Sequence, residues 1–233
     1  MKELAPGLHR LKGFPPDGFN VYLVETPGGD VLVDTATRHA RRRILRQVDG
    51  RRLEGILITH AHRDHAGAMH AVATKTGAPV WSSPEDADAL EGKVPEPIPK
   101  PDSLVNRMFG GWWKDRHPVA RRIQDGERIG DFEVIAFPGH TPGMIGLWRE
   151  SDRTVVCADA LRTVNVFTGI PQVGEMPAAF TCDIPESRRS IRKLAALEAR
   201  IVCPGHGRAL RGDEAVEKVR TLAADLPAEL PTP

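Results

Sequence analysis

The sequence predicts an α/β protein built from two halves of one plan. Three observations carry this. Short β-branched and apolar runs alternate with stretches of helical spacing. The order hairpin, helix, strand occurs twice. In both rounds an aspartate ends the hairpin and a histidine follows the last strand. The first hairpin covers Val21–Val33 and ends in Asp34, and the strand Ile56–Ile58 runs into His60. The second covers Ile145–Ala158 and ends in Asp159, and the strand Ile201–Cys203 runs into His206. The Asp-to-His gaps differ, 26 residues against 47, so this is likeness of plan and not a tandem repeat. If the halves pack face to face, their loops converge on one edge. Chance alternation of strands and helices is the competing explanation of the pattern alone.

Each element has its own signal. Val21–Val24 and Val31–Val33 flank Thr26-Pro27-Gly28-Gly29-Asp30, which is turn chemistry for a hairpin. Ile44, Leu45 and Val48 recur at helical spacing within Arg38–Val48, under an arginine-rich outer face. Ile56-Leu57-Ile58 is apolar throughout, as in a strand covered on both faces. Ala66–Thr76 is alanine-rich and is ended by Gly77 and Pro79, and Val80-Trp81 starts another strand. From about 83 to 125 the pattern dissolves. Prolines 84, 95, 97, 99 and 101 argue against regular structure, and Met108-Phe109-Gly110-Gly111-Trp112-Trp113 follows as an aromatic cluster. Strands return at Phe132–Phe137, Met144–Trp148 and Val155–Ala158. Helices at about Glu186–Ala199 and Asp213–Asp225 flank the strand Ile201–Cys203. The whole, 1–233, reads as one domain with an insertion at about 83–125.

Composition narrows the class of function. The 233 residues carry 32 Lys+Arg against 31 Asp+Glu, a formal charge of +1, with 40% hydrophobic residues. That is an ordinary soluble composition without the basic excess of a nucleic-acid or membrane-surface binder. No run approaches the length of a membrane span, and the N-terminus lacks a signal-peptide core. Three widely spaced cysteines make no disulfide framework, so a reducing cytoplasm is the expected location. Cys157, Cys182 and Cys203 are read as small core residues.

The chemistry lies in the histidines. Thr59-His60-Ala61-His62-Arg63-Asp64-His65 places four potential metal ligands within six residues, between a strand and a helix. In extended backbone His60 and His62 point to one side and can grip one ion, while Asp64 and His65 project from the next turn and can hold a second. His140 in Phe137-Pro138-Gly139-His140 and His206 in Cys203-Pro204-Gly205-His206 each follow a strand in a rigid Pro-Gly turn. Either alone reads as a turn residue; the shared form points to ligands. His9, His39, His70 and His117 read as ordinary surface or core histidines.

With His60-x-His62-x-Asp64-His65, His140, Asp159 and His206 in this order, the sequence resembles the metallo-β-lactamase superfamily of metal-dependent hydrolases, over about Val21 to His206. The resemblance implies a four-layer αβ/βα sandwich with the metals at one edge of two packed sheets. It implies that His60, His62 and His140 hold one divalent ion, that Asp64, His65 and His206 hold a second, and that Asp159 bridges them. Asp34 would orient the metal loop without ligating. Zinc is the expected metal, with manganese or iron as alternatives.

Two such ions, roughly 3.5–4 Å apart, share a water and make it a hydroxide at neutral pH. The expected reaction is hydrolysis of an ester, thioester or lactone-type small molecule, with Asp64 also orienting the nucleophile or taking its proton. The presence of both Asp159 and His65 argues against a true β-lactamase and for the glyoxalase II-like branch. Two alternatives remain at this stage. One is a persulfide dioxygenase with a single iron on His60, His140 and Asp159. The other is a metal-stabilised binding module without turnover. Phe109, Trp112, Trp113, Asn165, Phe167 and Phe180 are candidate substrate contacts. For the 108–113 segment, lid, core plug and dimer contact stay open, and a homodimer is a possible assembly. Neither nucleic acid nor membrane is expected as a partner.

Overall fold

Two mixed sheets stack face to face, each backed by helices. The computed structural model describes residues 1–12, 18–99 and 116–227. The first sheet runs in the order β1 (Lys2–Ala5), β2 (Leu8–Arg10), β3 (Tyr22–Thr26), β4 (Gly29–Val33), β5 (Leu53–Leu57), β6 (Val80–Ser82) and β7 (Val119–Arg122). Pairing is antiparallel from β1 to β4 and parallel from β4 to β7. The second sheet runs β8 (Arg128–Ile129), β9 (Phe132–Ala136), β10 (Ile145–Arg149), β11 (Thr154–Ala158), β14 (Ile201–Pro204) and β15 (Leu210–Arg211). Of its pairs only β11–β14 is parallel. A ribbon of β12 (Arg162–Val164) and β13 (Pro171–Gly174) stands apart.

The repeated plan is therefore real in three dimensions. Hairpin β3–β4 continues into parallel β5, and hairpin β10–β11 continues into parallel β14. Thr26 pairs with Gly29 across the two-residue turn Pro27-Gly28, as the turn residues predicted.

Alternation along the strands builds three core layers. Val24, Val31, Val33 and Leu57 of the first sheet meet Val134, Ile145, Leu147 and Val156 of the second. On the opposite face of the first sheet, Leu23, Leu32, Ile56 and Val80 pack under α1 (Arg41–Val48) and α3 (Met69–Thr76) through Ile44, Val48, Met69 and Val72. The outer face of the second sheet carries Ile135, Val155 and Val202 under α5 (Ile184–Ala196) and α6 (Gly212–Asp225) through Leu194, Ala215 and Val219. The side-chain period of two makes this inevitable once both faces are apolar. Helix, sheet, sheet, helix is the four-layer sandwich that the resemblance implied.

Several expectations need correction. The helix read at Ala66–Thr76 is two, α2 (Arg63–Ala66) and α3, broken at Gly67 and Ala68. The break comes from contact: Gly67 donates its N–H to Ala36 O at 2.8 Å, and a Cβ there would lie 2.7 Å from Arg38 N. The stretch from 83 to 125 is ordered at both ends, with α4 (Pro84–Leu90) and β7. Pro84 starts α4 instead of preventing it, because the first helical N–H has no partner to lose. Cys157 and Cys203 are buried as expected, but Cys182 is exposed and its thiol donates to Pro97 O at 3.0 Å. Among the described residues, no helix is long and apolar enough to cross a membrane.

Candidate metal centre

Five loops meet at the carboxyl ends of strands β4, β5, β9, β11 and β14. Asp34 follows β4, the His60–His65 loop follows β5, His140 lies in the turn after β9, Asp159 follows β11 and His206 follows β14. Left-handed kinks end the two strands that carry aspartates, at Asp34 itself (φ 63°) and at Ala158 (φ 46°). Such backbone is costly for residues with a Cβ and collects at functional sites. The kink at Ala158 turns Asp159 toward the histidines and leaves Cys157 in the core under α5 and α6.

The loops bring together all seven residues expected to ligate metal. His60, His62 and His140 form one group whose ligand atoms lie within 4.8 Å of one another, and Asp64, His65 and His206 form another. Asp159 sits between them. Its Oδ2 is 3.1 Å from His206 Nε2, 3.3 Å from His140 Nε2 and 3.9 Å from His60 Nε2, and its Oδ1 is 3.4 Å from His65 Nε2. All these are buried except Asp64, whose side chain is 31% exposed and reaches His206 Nε2 at 3.4 Å.

The second ring nitrogen of each histidine is engaged. His60 Nδ1 donates to Thr59 Oγ1 (3.0 Å), whose hydroxyl donates to Asp34, and His65 Nδ1 donates to Asp34 Oδ2 at 2.8 Å. His140 Nδ1 meets Thr181 Oγ1 at 3.3 Å, and His206 Nδ1 donates to Gly18 O at 2.6 Å. His62 is turned the other way, with Nε2 on Pro97 O at 2.9 Å and Nδ1 left for the site. Such outer partners fix tautomer and ring orientation in metal sites. Asp34 accepts from Thr59 and from His65 and belongs to neither ligand group.

The inward atoms are the unsatisfied ones. His60 Nε2, His140 Nε2 and Asp159 Oδ1 are buried and make no hydrogen bond. Orphaned polar atoms of this kind cost about 1–3 kcal/mol each, and these belong to the three-histidine group and to Asp159. A cation between them satisfies all three, so the residues fit a metal.

Electrostatics splits the cluster. Burial, with the neighbouring His65 imidazole, pushes His60 well below the usual histidine range. Burial and His140 lower His62 to about 4. Burial opposes but does not prevent the rise of His65, held up by Asp159 and Asp34, and of His206, held up by Asp159. Asp159 lies well below the carboxylate range despite burial, because His206 and His65 face it. Asp64 is lowered against burial by His65 and His206.

Some contributors carried no signal in the sequence reading. Asn20 Nδ2 donates to Pro204 O and Gly207 O at 2.8 and 2.7 Å, and Tyr22 donates to Pro204 O at 2.6 Å, so the first half holds the His206 turn. Asp86, from α4, accepts hydrogen bonds from both loops of the three-histidine group. Its sequence signature was present: Ser83-x-x-Asp86 before an apolar run is the pattern of a helix start. Of the substrate candidates, Phe109, Trp112 and Trp113 lie outside the described residues. The Asn165 carboxamide is taken up by its own turn, accepting from Phe167 N at 3.0 Å. Phe167 is 72% exposed, with its ring 6.4 Å from that of Phe180.

Comparison with known proteins agrees with this geometry. Residues 15–206 match the family described as the metallo-beta-lactamase superfamily. The probable metallo-hydrolase YflN of Bacillus subtilis (strain 168) is 30% identical over 90% of this chain and 87% of its own length. The hydroxyacylglutathione hydrolase GloC of Haemophilus influenzae is 30% identical over 47% of this chain and 50% of its own. The crystal structure of TTHA1623 in a di-iron-bound form superimposes with a TM-score of 0.63 at 29% identity, covering 88% of this chain and 94% of that one. The chain belongs to the metallo-beta-lactamase superfamily.

Proposed function

We propose that this protein is a dinuclear metal-dependent hydrolase acting on a small ester, thioester or lactone-type substrate. The observation that carries this is the buried Asp159 carboxylate set between two ligand triads, within 3.1–3.9 Å of four histidine nitrogens. His60 and His140 through Nε2 and His62 through Nδ1 would hold one ion, and Asp64, His65 and His206 the other, with Asp159 shared. Zinc suits the imidazole and carboxylate donors, and manganese or iron are the alternatives; the di-iron relative supports keeping iron among them. When bound, the two ions would supply a water of lowered pKa and a Lewis acid for the carbonyl. Asp64, 31% exposed beside His206, would orient a water there and take its proton.

In this reading Phe167 and Phe180 are the apolar contacts offered to the substrate. Thr163 N donates to His206 O at 3.0 Å and so ties ribbon β12–β13 to the metal edge, and this ribbon presents Phe167 beside Phe180. An acyl or aryl portion fits such a ledge. The hydroxyacylglutathione hydrolase among the relatives supports putting acylglutathione-type thioesters first in the assay order. The test is a panel of thioesters, lactones and phosphodiesters with metal-loaded protein. Asp64→Asn is expected to lower kcat at least 100-fold even at metal concentrations that saturate both positions, with weaker binding at the position it helps to form. Phe167→Ala is expected to raise KM for long acyl substrates more than for acetyl esters. Oxygen uptake with a persulfide and no hydrolysis of the panel would overturn the proposal in favour of a dioxygenase.

A further inference from the structure

Asp86 lies in the first turn of α4 and is 1% exposed. Its Oδ2 accepts Ala61 N at 2.7 Å and Thr141 Oγ1 at 2.7 Å, and its Oδ1 accepts Gly143 N at 2.8 Å. Ala61 separates His60 from His62, whereas Thr141 follows His140 and Gly143 lies two residues further on. One carboxylate therefore grips the histidine loop of the first half and the histidine turn of the second, beside the three-histidine group.

The fit is specific to a carboxylate. All three partners are donors, so an amide in place of Asp86 would turn an NH2 toward at least one of them. Gly143 permits the approach, since a Cβ there would lie 2.7 Å from Asp86 Oδ1 and 2.8 Å from Asp86 N. Ser83 caps the same turn, its Oγ accepting from Asp86 N at 3.3 Å. The other ligand group has separate supports, Asp34 for His65 and Gly18 for His206.

We infer that Asp86 is a positioning residue, which locks the loops carrying His60, His62 and His140 into one ligand set and thereby sets that position's affinity for its ion. It touches no substrate. The inference rests on the reading that these three histidines hold one metal.

Two backgrounds separate the positions: His206→Ala leaves the three-histidine group intact, and His140→Ala leaves Asp64, His65 and His206. Zinc affinity is measured in each by competition with a chromophoric chelator, with and without Asp86→Asn. The expected result is a loss of about 10–100-fold in the His206→Ala background, the usual cost of removing a ligand's outer support, and less than about twofold in the His140→Ala background. Thr141→Val removes one donor while keeping side-chain volume and the carboxylate, and serves if Asp86→Asn does not fold. Its expected loss is about threefold to tenfold, again only in the His206→Ala background. Equal losses in both backgrounds would reduce Asp86 to a general structural role and overturn the inference, as would no loss in either. If His206→Ala alone bound no zinc, the three-histidine reading itself would fall and Asp86 with it.

Discussion

Each of the five clustered histidines commits one ring nitrogen to an outer partner and leaves the other facing Asp159 or its fellow ligands. These outer partners set the ring orientations, and two residue-level outcomes follow. Gly205→Ala should empty the site, because a Cβ there would overlap Asp159 Oδ1 and come within 2.7 Å of His65 Cε1. Elemental analysis of the purified variant should find less than half the wild-type metal, with an unchanged far-UV circular dichroism spectrum. The second outcome concerns protons. Ligating imidazoles must be neutral. His60 and His62 are kept neutral at pH 7 by burial and neighbouring imidazoles, whereas His65 and His206 are raised by Asp159 and must shed protons to bind. Zinc affinity of the His140→Ala protein should therefore climb with pH between 6 and 8, by up to about tenfold per pH unit for each proton released. The His206→Ala protein should be flatter across the same range; an equally steep profile would contradict this assignment. At this scale the sequence exposed what is local. The His60–His65 motif and the two Pro-Gly-His turns are short patterns, whereas Asp86, Asn20 and the Pro97 carbonyl reach the site through pairings 25 to 187 residues long.

Elements were legible where apolar or β-branched residues ran together between turn signals or recurred at helical spacing. Hairpins β3–β4 and β10–β11, strand β5 and helices α1, α5 and α6 fall where the pattern put them, with ends moved by a few residues. Strands β1, β2 and β15 and ribbon β12–β13 have two to four residues each, too few for an alternation to stand out, and tertiary pairing makes them. The α2–α3 break was masked by the alanines around Gly67, whose low helix propensity is a weak signal alone. The close approach of Ala36 and Arg38 at Gly67 accompanies the break. Helix α4 was obscured by weighing Pro84 as a breaker when Ser83 before it makes it a start. Ser83→Ala should cost about 1 kcal/mol of stability through the lost cap, read by urea denaturation at pH 7. A change below about 0.3 kcal/mol would show that packing alone holds α4 in place.

For the whole molecule, the two halves are joined by their shared inner core and by the metal edge. Leu147 of β10 is fully buried between the sheets, and Leu147→Ala should cost about 2–5 kcal/mol in denaturant melts. Metal should add to that stability, because ligands from both halves close on the same ions and binding favours only the folded state. Removing metal with a chelator should lower the midpoint of thermal unfolding, and re-adding zinc should restore it. The duplicated plan was readable from the aspartate and histidine at matching strand ends. The face-to-face stacking was legible through the family resemblance alone, since no local pattern states which apolar face meets which. The central claim is that two ions sit on either side of Asp159. The most direct test is metal content per chain, by elemental analysis of protein purified without chelator. Close to two equivalents of zinc, manganese or iron is the predicted result. A single iron per chain, unchanged on adding zinc, would contradict the dinuclear centre and the hydrolysis built on it.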